Sequence, residues 1–196
     1  MVRVNDKRSM KIVVASHCVL NQNAKLEGIA GWPGAIKEVA DLILSSGAGI
    51  LQMPCPEMIY EGIGRFDKSV EQYDCPAFRD LCQKITIEIV DQIENYMQWG
   101  YTVSAILAID GSPSCGFNLT QSAPEWRGLV AGMQWQKVRY EHRAGILMKY
   151  LSAELKLRQL DITILGIPEI PELGDLDRLL IDLKQALTDP HAGGES

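Results

Sequence analysis

The sequence has no long apolar run. Its longest, Ala105 to Ile109, falls far short of the ~20 residues that a membrane-spanning helix needs. The start, Met1 to Met10, is polar and charged, and the apolar run after it, Ile12 to Ala15, is too short for a signal core. Positive charge is also scarce. Nineteen Lys and Arg face 25 Asp and Glu, a formal charge of −6, which argues against a dedicated nucleic-acid binder and makes tRNA a disfavoured partner. No Gly-x-Gly-x-x-Gly follows the first apolar strand, and no Lys-bearing phosphate loop is present, so a nucleotide-binding domain of those kinds is not indicated. No Cys-x-x-Cys occurs, which removes the usual thiol redox motif. A cytoplasmic protein with no membrane partner is the resulting expectation. There thiols stay reduced, and cysteines bind metal, do chemistry or fill core. Five cysteines are present, an odd number that cannot all pair within one chain.

The 196 residues are about one domain. We expect it to span residues 1–190, with a disordered tail at 191–196. Lys11 to Ser16, Ile50 to Met53, Val103 to Ile109 and Ile162 to Leu165 read as buried strands. Between them, Pro33 is placed to open a helix, and the run from Phe78 through Leu81, Cys82, Ile85, Ile89, Ile93 and Tyr96 predicts a long amphipathic helix beginning at Pro76. Helices are also expected over Trp135 to Leu157 and across Leu176 to Leu187. Glu57 to Asp74 and Asp110 to Gly132 read as loops. Alternating strands and helices predict an α/β fold with a mostly parallel sheet of four or five strands and right-handed crossovers. The working end of such a sheet is where the carboxyl ends of its strands meet the loops.

Three cysteines fall just there. Cys18 follows the first strand, Cys55 the second (in Pro54-Cys55-Pro56-Glu57) and Cys115 the third (in Ser112-Pro113-Ser114-Cys115-Gly116). Their sequence spacings are too long for zinc fingers or ferredoxins. Strand neighbours, however, lie ~4.8 Å apart, so the fold can gather them. Soft thiolates select iron–sulfur clusters, zinc or copper(I), and three ligands without a fourth leave a metal position open. The alternative is three buried free thiols. Cys82 lies on the apolar stripe of the long helix and is core. Cys75 stands at that helix's entrance, as packing or as a further thiol near the site.

The Cys18 segment, the Cys55-Pro56-Glu57 segment and the Ser112-to-Gly116 segment resemble the three motifs of the 2-thiouracil desulfidase family. The resemblance implies a single-domain, Rossmann-like three-layer sandwich. It implies a 4Fe-4S cluster held by Cys18, Cys55 and Cys115, whose fourth iron takes the sulfur of a thiolated nucleobase. It further implies Glu57 and Ser112 as the catalytic pair and a small thiolated base or nucleoside as substrate. The chain departs from the family pattern in carrying Leu26-Glu27-Gly28 in place of Tyr-Asp-Gly. It departs again in Tyr60-Glu61-Gly62-Ile63-Gly64-Arg65, where the family has a glycine-rich stretch ending in Pro-Arg, and it resembles a divergent branch.

On this reading water attacks the thiocarbonyl carbon, Glu57 activates the water, and Ser112 relays a proton or orients the substrate. The competing roles are a solvated loop acid for Glu57 and a turn cap for Ser112. Weaker candidates are His17 beside Cys18, Asp110 at the end of the third strand, Ser114, and the amides of Asn21 and Asn23. Trp126 and Trp135 are possible base-stacking rings. Lys137, Arg139, Arg143 and Lys149 are placed on the fourth helix as a charged face. A non-catalytic iron–sulfur sensor or sulfur carrier would use the same three cysteines and need neither Glu57 nor Ser112.

Overall fold

The structure, a computed structural model, describes residues 5–128 and 137–188. Strand β1 (Lys11–Ala15) leads through the short helix α1 (His17–Leu20) into α2 (Lys37–Ser45) and then β2 (Gly49–Gln52). Helices α3 (Pro56–Glu61), α4 (Val70–Tyr73) and α5 (Pro76–Gln98) precede β3 (Thr102–Asp110). Strands β4 (Thr120–Ser122) and β5 (Arg139–Glu141) follow, then α6 (Ile146–Leu157), β6 (Ile164–Pro168) and α7 (Leu176–Thr188).

The main sheet has four parallel strands in the order β2-β1-β3-β6, while β4 and β5 form a separate antiparallel ribbon. The first crossover runs outward from β1 to β2. The later ones run the opposite way, through β3 to β6, so right-handed connections place their helices on opposite faces. Accordingly α2 packs with α7, and α5 with α6. The result is the Rossmann-like three-layer sandwich. Both faces of the sheet are covered, which is why Val13, Val14 and Ala15 of β1 and Ala105 to Ala108 of β3 are wholly buried and the strands read as unbroken apolar runs. The strand order reverses direction between β1 and β3, so the connections that leave their carboxyl ends go to opposite faces, which is the usual ligand position in open α/β sheets.

Several local expectations change. The Glu57 to Asp74 segment is not all loop. Pro56 sits at the first turn of α3, and Ser69 and Gln72 form a capping box for α4. The helix expected from Pro33 starts at Lys37, because the Gly34 carbonyl accepts from the Gln22 N–H and the Ile36 N–H donates to Val19. The helix expected from Trp135 starts at Ile146. Arg139 to Glu141 are instead taken by pairing with β4, so Arg139 lies on the ribbon and Lys137 and Arg143 beside it, and only Lys149 rides the helix. Trp135 and the 191–196 tail lie outside the described residues. No helix among the described residues is long and apolar enough to cross a membrane.

Candidate functional site

A cavity of about 480 Å³ opens at the carboxyl ends of the strands, and Cys18, Cys55 and Cys115 all line it. Cys18 lies in α1, immediately past β1. Cys55 is the residue before Pro56, and its sulfur accepts the Met58 N–H at 3.4 Å. Burial pushes both thiols up, reinforced for Cys18 by the charge of Glu169 and for Cys55 by that of Glu57. Cys115 is also raised well above its ordinary value, by burial and by the proximity of Cys55 and Cys18. One buried and two half-buried thiols whose ionisation is disfavoured make a site that gains from a cation, since a coordinating thiol gives up its proton outright.

The loop that carries Cys115 is fixed from two sides. From below, the buried Asp110 carboxylate accepts the N–H groups of Phe117 and Asn118, both at 2.9 Å, that of Leu119 at 3.4 Å, and the Asn118 side-chain amide at 2.9 Å. A side chain at Gly166 on β6 would put its Cβ 2.2 Å from that carboxylate, so only glycine leaves room for it. From above, the first N–H groups of α6 are satisfied by the loop itself. Ile146 donates to Pro113 at 3.1 Å, and Leu147 to the Ser114 carbonyl at 2.9 Å. Asp110 therefore organises a loop and presents no free oxygen of the kind a strand-end catalytic acid would offer.

Glu57, on α3, is 8% exposed and faces the cavity. Its Oε1 accepts from the Ser114 hydroxyl at 2.5 Å and from the Ser112 hydroxyl at 3.3 Å, and its Oε2 lies 3.4 Å from the Arg65 Nε. The sequence expectation named Ser112 as Glu57's partner. The structure brings the two together but gives the closer contact to Ser114. The Ser112 Oγ also accepts the Cys115 N–H at 3.0 Å and the Ser114 N–H at 3.3 Å, so it shapes the turn as well. Arg65 is nearly buried and donates also to the carbonyls of Ala24 and Gly62.

The cavity wall holds groups that the motifs did not mark. Lys25 pairs with Glu169, just past β6, and Lys68 pairs with Glu61. Gln22 donates both to Glu169 at 3.1 Å and to the Cys18 carbonyl at 2.8 Å, tying the ends of β1 and β6 together. Asp67 and Gln121 face each other across the wall, and Tyr140 of β5 adds a ring. Glu169 occupies the strand-end position that a positional search would reach. Arg65 closes the segment set against the family's Pro-Arg stretch, whereas Asp67 and Gln121 carry no local signal.

The ribbon is latched by a polar network. The Ser122 hydroxyl lies 2.9 Å from a Glu71 oxygen and 3.0 Å from a Glu141 oxygen, its one proton shared between them, and Arg143 pairs with both carboxylates. Burial raises the Glu71 carboxyl, but the Ala123 N–H, its own backbone N–H and the Ser122 and Ser69 hydroxyls outweigh it and hold it at about 2.

The remaining candidates lie elsewhere. Cys82 is buried in the core, its thiol pushed up to about 12 by burial and the charge of Glu57. Cys75 precedes α5 and does not line the cavity. A hydrogen bond with Tyr60 and the N–H groups of Phe78 and Ala77 lower its thiol. His17 lies 3.3 Å from the Asn21 amide, Asn23 is exposed, and Trp126 is buried away from the cavity wall.

Among the described residues, no three His, Cys, Asp or Glu side chains sit close enough together to hold a single metal ion. The three thiols are spread around a cavity instead. Thiolates are soft ligands of the kind that suit zinc, copper(I) or iron–sulfur clusters. No protein-family model and no solved structure matches the chain. It is similar to the uncharacterized protein MJ0003 of Methanocaldococcus jannaschii, 36% identical over 108 residues that make up 55% of this chain and 69% of the archaeal protein.

Proposed function

We propose that this chain, which belongs to the family of the uncharacterized archaeal protein MJ0003, is a desulfidase that replaces the sulfur of a thiolated nucleobase with oxygen. One observation carries the reading. Cysteines from the ends of three strands line a single cavity in which a buried carboxylate, Glu57, is held by two hydroxyls and an arginine. A 4Fe-4S cluster on Cys18, Cys55 and Cys115 would supply an open Lewis-acidic iron for the thiocarbonyl sulfur.

The chain's own groups do the rest. Glu57 takes a proton from the attacking water, and oxygen bonds to the thiocarbonyl carbon. That proton goes to the departing sulfur, which leaves as hydrosulfide, and the hydroxyl left on the carbon gives up its own proton as C=O forms, so that C=S and water become C=O and hydrogen sulfide with no change in oxidation state. Ser114 fixes Oε1 of Glu57, and Arg65 holds Oε2, so the carboxylate keeps one orientation through both transfers. The thiolated base or nucleoside enters as a small molecule.

The test is direct. Protein prepared and reconstituted without oxygen is expected to carry iron and sulfide and show a brown cluster absorbance. It is also expected to remove the thiocarbonyl absorbance of 2-thiouracil while releasing sulfide. Glu57→Gln is expected to keep the cluster and lose roughly 10²–10⁴-fold in rate. Iron-free protein after reconstitution overturns the reading. A cluster with no activity on thiolated bases converts it to the sensor or carrier alternative.

A further inference from the structure

We propose that Asp67 is the specificity-determining residue of this cavity and that it recognises substrate by accepting a ring N–H of the bound heterocycle. The inference rests on the desulfidase reading for the kind of ligand, and it adds the group that selects among such ligands.

Most of the charges in the cavity wall are already engaged. Of the cations in its wall, Lys25 is paired with Glu169, Lys68 with Glu61, and Arg65 with Glu57 and two backbone carbonyls. Of the carboxylates, Glu57, Glu169 and Asp110 are correspondingly held, the last by loop amides. Asp67 differs. Among the described residues no cation pairs with it. Its Oδ1 accepts the Gln121 amide at 3.0 Å, and the N–H of Lys68 also supports it. A carboxylate has about four acceptor positions, so roughly two remain unfilled, on a residue that lines the cavity. Burial and the charge of Glu57 raise its carboxyl, as expected for an acid held in a wall without a counter-ion.

Gln121 sets the direction of those free positions. Its side-chain nitrogen is committed twice, to Asp67 and, at 3.4 Å, to the Lys68 carbonyl. Among the described residues nothing donates to its carbonyl oxygen, so the Asp67–Gln121 pair presents acceptors to a ligand. A ring that carries N–H beside its thiocarbonyl meets this wall well. A ring whose nitrogen bears a methyl group instead leaves a buried acceptor unpaired, the kind of mismatch that polar sites reject most strongly. Tyr140 lies in the same wall and offers a flat face to a planar ring.

The test measures binding, not turnover. Dissociation constants for 2-thiouracil, 1-methyl-2-thiouracil and 3-methyl-2-thiouracil are determined from rapid-mixing binding traces, recorded before turnover, on the reconstituted protein and on Asp67→Asn. In the parent, one of the two methylated rings is expected to bind roughly 10- to 100-fold more weakly than 2-thiouracil, the loss of one hydrogen bond to a charged acceptor. In Asp67→Asn, which keeps the shape of the side chain, that discrimination is expected to fall to within about threefold. Equal binding of all three rings by the parent overturns the assignment while leaving the desulfidase reading intact, and so does full discrimination retained by Asp67→Asn. Failure of the parent to bind any of the three overturns both. The ligand series on the parent protein needs no variant, so it decides the matter even where Asp67→Asn fails to fold.

Discussion

Asp110→Ala is the perturbation whose consequence the structure states most fully. The carboxylate is 4% exposed and receives three hydrogen bonds of 2.9 Å and one of 3.4 Å, all from the loop between Phe117 and Leu119. A hydrogen bond to a charged group contributes about 1.5–3 kcal/mol, and an amide left buried without a partner costs about 1–3 kcal/mol. The four bonds share one carboxylate and are not additive, and Asn118 and its neighbours can partly rehydrate. The expected loss is therefore about 3–5 kcal/mol, a large part of the 5–15 kcal/mol that typically separates folded from unfolded. For a domain of this size it corresponds to a fall of roughly 6–20 °C in Tm. Because the same loop carries Cys115, which is 7% exposed, that thiol should also become open to alkylation. Circular dichroism melting and mass-spectrometric mapping of alkylated cysteines, both on metal-free protein, read the two effects. Asp110→Asn keeps one acceptor and should lose only about 1–2 kcal/mol. Exchanging the two groups in Asp110→Asn with Asn118→Asp should recover part of that. A parent-like Tm in Asp110→Ala, with Cys115 still protected, would refute the claim that this carboxylate holds the loop.

Gly166→Ala drives a methyl group into the Asp110 carboxylate, and overpacking of this kind is expected to cost about 1–3 kcal/mol, measured as a shift of the urea midpoint at constant slope. Ser112→Ala and Ser114→Ala should separate. The first removes the acceptor for the Cys115 N–H and lowers stability by about 1–2 kcal/mol. The second removes the closer donor to Glu57 and is expected to slow the proposed reaction roughly tenfold or more at nearly parental stability. Glu71 stabilises the ribbon through a carboxyl held at about 2 against an ordinary 4.5. Its folded value is depressed, so that contribution is complete above about pH 4.5 and is lost as pH falls toward 2. With the partly exposed side chain screened by solvent, it amounts to about 1–2 kcal/mol, and Glu71→Gln should be less stable than the parent at neutral pH, with the difference shrinking through that window in acid-denaturation curves.

The layered α/β fold, the four parallel strands and the long helix from Pro76 are legible in the chain because each rests on local periodicity. The sequence also placed Cys18, Cys55, Cys115 and Glu57 at one end of the sheet, because strand direction alone puts them there. Shorter elements escaped it. Arg139 to Glu141 become a strand only by finding Thr120 to Ser122 as a partner, and three residues hold too little pattern to announce that pairing. The closer hydroxyl on Glu57, the loop-holding task of Asp110 and the acceptor wall of Asp67 and Gln121 depend on where side chains point after distant segments dock. Hydrogen-bond direction is set by the packed backbone around each group and leaves no periodic trace in the chain.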